Sequence, residues 1–286
     1  VKLSIRHELK FSYTKPVFLE PTLVRLRPRD DFSQKLELFD LEVAPPPAGR
    51  SEELDLLGNS GSLLWFNEEC PNLTLKVHSQ VQTLLTNPFN YLVTDPQTLK
   101  LPARYNQENR LALNPYLHRH QPDKAVEDLA QSLLMESDDN TLNFLYHATD
   151  FISREFQHIP RAKGEALAPV KTLRRKEGAC RDLAVLFMDI CRALGLAARF
   201  VSGYKYSPDA QDQQELHAWA EVYLPGAGWR GYDPSWGLAV ADHHVALAAG
   251  PAPLDAMPVA GTFRGVDVLS NLEYSVEIEN LELVKR

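Results

Sequence analysis

Cysteine is scarce: there are three in 286 residues, too few for the disulfide frameworks that hold small secreted domains together. Glycine (14) and proline (20) are ordinary for the length, which excludes collagenous and low-complexity chains. No apolar run approaches the ~18 residues of a membrane-spanning helix. Positive charge is in deficit, with 30 Lys and Arg against 38 Asp and Glu and a formal net charge of −8. That balance argues against nucleic acid or an anionic membrane as partner. The opening residues Val1 to His7 alternate and carry charge, unlike a signal peptide. With few cysteines and no evident pairing, a reducing, cytoplasmic setting is expected.

The chain has 44% hydrophobic residues and enough length for about two folded domains. Residues 1–110 read as an all-β region. Leu3/Ile5, Leu9/Phe11/Tyr13 and Leu73/Leu75/Val77 alternate with polar positions, and Gly58-Asn59-Ser60-Gly61 signals a turn. The stretch from Asn87 to Pro122, with Pro88, Pro96, Pro102 and Pro115, reads as an extended connector. Residues 111–286 then read as an α+β core with further strands at its C-terminal end. Helices are expected from about Pro122, from Thr141 to Phe156, and from Ala179 to Leu194, the last stopping at Gly195. Strands follow at Ala198–Tyr204, His217–Leu224, Gly228–Tyr232 and His244–Ala249, and Leu272–Leu283 alternates again.

Three segments carry chemistry: Gly178-Ala179-Cys180-Arg181-Asp182 at a helix start, His217-Ala218-Trp219 at a strand start, and Asp233-Pro234-Ser235 at a strand end. A free thiol has a pKa near ~8.5, which a helix N-terminus and a nearby imidazolium lower. The N–H groups of that first turn are also suited to an oxyanion. His217 would take the thiol proton and return it to a leaving amine, while Asp233 orients the imidazole. Each residue alone has an ordinary structural reading. All three together, each at an element boundary, form a nucleophile–base–orienter set.

These segments resemble the transglutaminase-like superfamily of papain-like cysteine enzymes, in particular a bacterial branch described as candidate cysteine proteases. The resemblance runs through Ala193-Leu194-Gly195, Arg199 to Tyr204, His217 to Trp229, Asp233-Pro234-Ser235, His244 to Gly250 and Gly261 to Gly265. His7 to Tyr13, Leu26-Arg27-Pro28 and Leu57-Gly58-Asn59 resemble the β-rich N-terminal region of the same proteins. It implies Cys180 as nucleophile, His217 as base and acid, Asp233 as orienter, a peptide or protein substrate, and no metal or organic cofactor. The acyl acceptor stays open: water gives hydrolysis of a peptide or isopeptide bond, an amine gives protein-glutamine transglutamination. A binding or assembly module that keeps the fold is a further alternative, and an arylamine acetyltransferase-like enzyme a remote one.

Eukaryotic transglutaminases place a Trp upstream of the nucleophile as oxyanion donor. Here no Trp lies between Trp65 and Cys180, and Gln157 or Tyr146 is considered in its place. Tyr204, Trp219 and Trp236 are expected to wall the substrate channel. Cys191, about 16 Å along the helix from Cys180, is expected to be a core thiol and Cys70 a structural one. His118-Arg119-His120 and Asp242-His243-His244 lack a zinc-like ligand spacing, and Arg174-Arg175-Lys176 reads as a solvated loop.

Overall fold

A computed structural model describes residues 1–161, 164–208 and 214–283. The N-terminal region holds six strands: β1 (Lys2–Leu19), β2 (Thr22–Val24), β3 (Gln34–Ala44), β4 (Gly49–Leu54), β5 (Ser60–Trp65) and β6 (Glu69–Thr83). The helical segment holds α1 (Pro96–Leu99), α2 (Gln107–Leu117), α3 (Lys124–Met135) and α4 (Thr141–Glu155). It continues through β7 (Gln157–His158), α5 (Pro169–Arg175), β8 (Glu177–Gly178) and α6 (Cys180–Ala193). The strands β9 (Ala198–Lys205), β10 (Leu216–Leu224), β11 (Gly228–Asp233), β12 (Leu238–Ala239) and β13 (His244–Gly250) follow. The chain ends in β14 (Val259–Ala260), β15 (Phe263–Arg264) and β16 (Ser270–Asn280). The result is an α+β fold with antiparallel main sheets and an all-β N-terminal region.

The central sheet runs β12-β11-β10-β9-β13. Ala198, Phe200, Ala218, Ala220 and Val222 pack against α6, whose Leu183, Leu186, Phe187 and Ile190 are almost fully buried. Farther along the same strands, Tyr204, Tyr206, Val245 and Leu247 join the core built around Leu3, Ile5, Leu75 and Val77. Two N-terminal amides clasp the edge strand β13. The Gln34 side chain donates to the Ala246 carbonyl at 3.0 Å and accepts its N–H at 2.7 Å. Asn59 does the same for Ala249, at 2.9 and 2.8 Å. These contacts satisfy backbone groups that an edge strand would otherwise expose.

Three expectations are corrected. The C-terminal strands do not extend the core: β16 pairs with β1 from Leu3↔Asn280 to Tyr13↔Ser270, and β14 pairs with β2. The alternating residues from 272 to 280 therefore complete the N-terminal sheet, so a division into 1–110 and 111–286 cuts across it. The connector is not wholly extended, because α2 forms within it. Asn106 caps that helix by accepting the N–H of Asn109, and Leu113 anchors it beside Tyr105 and Ala197. The basic trio closes a helix rather than forming a loop. Arg174 and Arg175 end α5, and Lys176 caps it in the left-handed region with its ammonium over Phe151 and Phe156. Among the described residues, no helix is long and apolar enough to cross a membrane.

Candidate active site

Cys180 is the first residue of α6. The turn before it is held by Asp182, which is 1% exposed. Its Oδ2 accepts the N–H of Ala179 at 2.9 Å, and its Oδ1 accepts from Leu167 N–H at 2.8 Å and Arg161 Nη2 at 2.7 Å. Gly178 serves this turn through space rather than through a left-handed backbone. A Cβ there would stand 2.9 Å from the Asp182 Cβ and 3.3 Å from Thr172 Cγ2. The thiol is thus presented at the positive end of a helix by a turn that the Asp182 carboxylate ties down.

The central sheet brings the partners. His217 is the second residue of β10, opposite Gly203 of β9. Asp233 closes β11, and its Oδ2 lies 2.7 Å from His217 Nε2. With Nε2 engaged there, Nδ1 is the ring nitrogen left to face the neighbouring Cys180 side chain. All three side chains are buried. Burial pushes the thiol up, but the charge and hydrogen bond of His217, with His158 beside it, outweigh this and bring Cys180 down to about 7. Burial lowers His217, yet Asp233 and the Cys180 sulfur outweigh it and hold the imidazole up at about 10. Burial raises Asp233, and its two imidazole partners reverse the sign, keeping it well below the carboxylate range. At neutral pH the arrangement therefore favours thiolate beside imidazolium.

Thiolate accumulates as pH rises through about 7, and the imidazolium is lost as pH rises through about 10. Alkylation of Cys180 by iodoacetamide is expected to rise with a midpoint near 7 and then plateau. Amide turnover should also fall on the alkaline side near 10. A midpoint at the free-thiol value near ~8.5 would contradict the ion pair.

Two histidines were not picked out as functional from sequence. His244 opens β13 opposite Lys205, and its Nε2 lies 3.0 Å from the same Asp233 Oδ2. His158 lies beside the thiol because β7 pairs in parallel with β8, setting His158 opposite Gly178 just before Cys180. The Nε2 of His158 is buried and meets no hydrogen-bond partner. Gln157 and Tyr146, the sequence candidates for an oxyanion donor, are solvent-exposed.

The expected channel residues divide. Tyr204 is fully buried, and its hydroxyl pairs with His7 Nδ1 at 2.9 Å under the N-terminal sheet, so it is core. Trp219 is 1% exposed and packs with Val201, Ala246 and Ala249 beneath the two imidazoles. Trp236 is at the surface, 44% exposed, with Lys205 over its ring. It follows Asp233 in a turn where Asp233 Oδ1 accepts the N–H of Ser235 at 3.0 Å.

His217, Asp233 and His244 offer donor atoms within 4.8 Å of one another, the one such group among the described residues. Both imidazoles address the same carboxylate oxygen, an arrangement of two hydrogen bonds onto one acceptor. His118 and His120 meet edge-on, as do His243 and Tyr206. Cys191 is fully buried, its thiol pushed up by burial, and Cys70 is buried in the N-terminal core.

A thiol on a helix start facing strand-borne His and Asp residues defines a class of fold, and the family comparisons agree with it. Residues 127–234 match the transglutaminase-like superfamily, and residues 3–82 match the bacterial transglutaminase-like N-terminal region. Those two segments of the chain are thus similar to a transglutaminase-like core and to the N-terminal region that accompanies it in bacterial proteins. An uncharacterized protein of Mycobacterium tuberculosis (strain H37Rv) is 27% identical over 297 residues, spanning 97% of this chain and 92% of the relative. One from Mycobacterium leprae is 24% identical over 305 residues, spanning 98% and 99%. A crystal structure of a candidate cysteine protease from Cytophaga hutchinsonii shares the fold, with a TM-score of 0.73 at 21% identity over 98% of this chain and 90% of that one.

Proposed function

We propose that this protein performs thiol-dependent acyl chemistry on amides, hydrolysing peptide or isopeptide bonds. The observation that carries the reading is the buried line from Cys180 through His217 to Asp233, with its 2.7 Å hydrogen bond. The Cys180 thiolate attacks the amide carbonyl carbon, and the oxygen gathers negative charge. First-turn N–H groups of α6 and the side chain of His158 stabilise that oxyanion. The carbon–nitrogen bond breaks as the His217 imidazolium protonates the departing amine. This leaves a thioester on Cys180. Neutral His217 then takes a proton from water, whose oxygen attacks the thioester, and a carboxylate departs with the thiolate regenerated. Asp233 holds His217 in the required tautomer throughout. Trp236, exposed beside the Asp233 turn, is read as the aromatic that meets substrate.

Hydrolysis is favoured over transfer to an amine because the structurally similar Cytophaga protein is described as a candidate cysteine protease. The test incubates the protein with a peptide pool containing glutamine and lysine side chains, with and without a primary amine, followed by mass spectrometry. A trapped acyl group on Cys180 and new carboxylate termini are the expected result. Incorporation of the amine in place of water would establish a transglutaminase instead. Absence of both acyl-enzyme and product would favour a binding module.

A further inference from the structure

Asp233 is gripped from two sides, and the family core match at 127–234 ends before the residue that provides the second grip. His244 stands 11 residues farther along the chain, on the opposite edge of the central sheet from β11. Both imidazoles direct Nε2 at Asp233 Oδ2, at 2.7 and 3.0 Å, while Oδ1 accepts the Ser235 N–H. We infer that His244 is a positioning residue of the site, whose Nε2–H fixes the Asp233 carboxylate in line for His217.

An acceptor that is an ionised carboxylate requires the proton on His244 Nε2. Its Nδ1 then carries a lone pair and is buried without a partner, which suits a neutral ring. Burial lowers the His244 pKa, in keeping with that state. Its charged surroundings are Asp233, His217 and Lys205 on the sheet. Across a cavity of about 240 Å³ stand Arg29, Arg199 and Arg230 with Glu221 and Asp31. Trp219 lies edge-on to the ring at a centroid distance of 5.2 Å and keeps it from swinging away. Without His244 the carboxylate keeps Ser235 and His217 as donors but can rotate, and His217 loses its fixed orientation toward the thiol.

This inference rests on the acyl-transfer reading for its role but is tested separately. His244→Leu removes the donor, while His244→Gln places an amide N–H near the former Nε2. The leucine variant is expected to shift the Cys180 alkylation midpoint upward by about one pH unit. It should also lower kcat by about 10- to 100-fold with KM little changed. The glutamine variant should regain the wild-type midpoint and most of kcat. An unchanged midpoint in the leucine variant, or glutamine behaving like leucine, would overturn the inference. If the leucine variant does not fold, nitrogen-15 histidine NMR of the wild-type protein decides. The Nε2–H tautomer of His244 at neutral pH is expected, and the Nδ1–H tautomer overturns the role. Alkylation and NMR need no substrate, so absence of amide turnover by the wild type would sink the acyl-transfer reading while leaving this result readable.

Discussion

Cys180→Ala should reduce amide turnover by about 10⁴- to 10⁶-fold, with KM changed little, because every covalent step of the proposed reaction passes through that sulfur. The loss should be equally severe in His217→Ala, since a thiol without its base is mostly protonated at neutral pH. The double variant should be no worse than either alone, the pattern expected when two groups act as one unit. Folding should survive: alanine fits where a small buried side chain stood, and Asp182 still ties down the turn. Steady-state kinetics with circular dichroism of each variant is the measurement. Turnover by Cys180→Ala within about tenfold of wild type would end the nucleophile assignment.

The largest expected effect on stability is at Gly203, where alanine should cost about 3 kcal/mol or more. Its added Cβ would stand 2.2 Å from the Val245 carbonyl oxygen and 2.5 Å from Trp219 Cη2. Neither can yield cheaply. Val245 lies in the strand paired to β9 on one side, and the indole is closed in by Val201, Ala246 and Ala249. Gly203 is also the register partner of His217, so displacement would disturb the base as well. A fall in Tm of about 6–12 °C is expected for such a loss in a domain of this size. Gly228→Ala is the contrasting case. Nothing lies within 4 Å of its Cβ, and only its φ of +77° opposes the change, worth about 1 kcal/mol. Equal melting temperatures for the two variants would refute the packing argument.

The legible parts of the site were those written in local pattern. Cys180 follows a glycine at the start of an apolar-periodic helix, and His217 and Asp233 bound strands whose alternation is clear. The structure sets those three side chains in one buried line. His244 and His158 are of another kind. Each reaches the site through strand pairing, β13 beside β9 and β7 beside β8, which no local signal specifies. As a bare sequence feature His244 sat in an Asp-His-His run that lacked a zinc-like ligand spacing and pointed to no partner. Its partner in the fold is a carboxylate from a different strand. Tyr204 was misplaced for the converse reason. Aromatic residues on strands suit a channel wall and a core equally well, and the choice is made by what covers them. Here the N-terminal sheet covers Tyr204, with His7 bonded to its hydroxyl.

By itself the sequence determined the periods of its elements, the β character of the N-terminal region, the helix that opens at Cys180 and the residue types needed for thiol chemistry. Those depend on neighbours a few positions away, through helix capping, side-chain alternation and turn geometry. The tertiary structure alone decided that β16 closes the N-terminal sheet, that Gln34 and Asn59 clasp β13, and that two imidazoles share one oxygen of Asp233. Such features depend on register and on which surfaces meet. A strand can pair at many registers with similar local preference, and burial of one face selects among them.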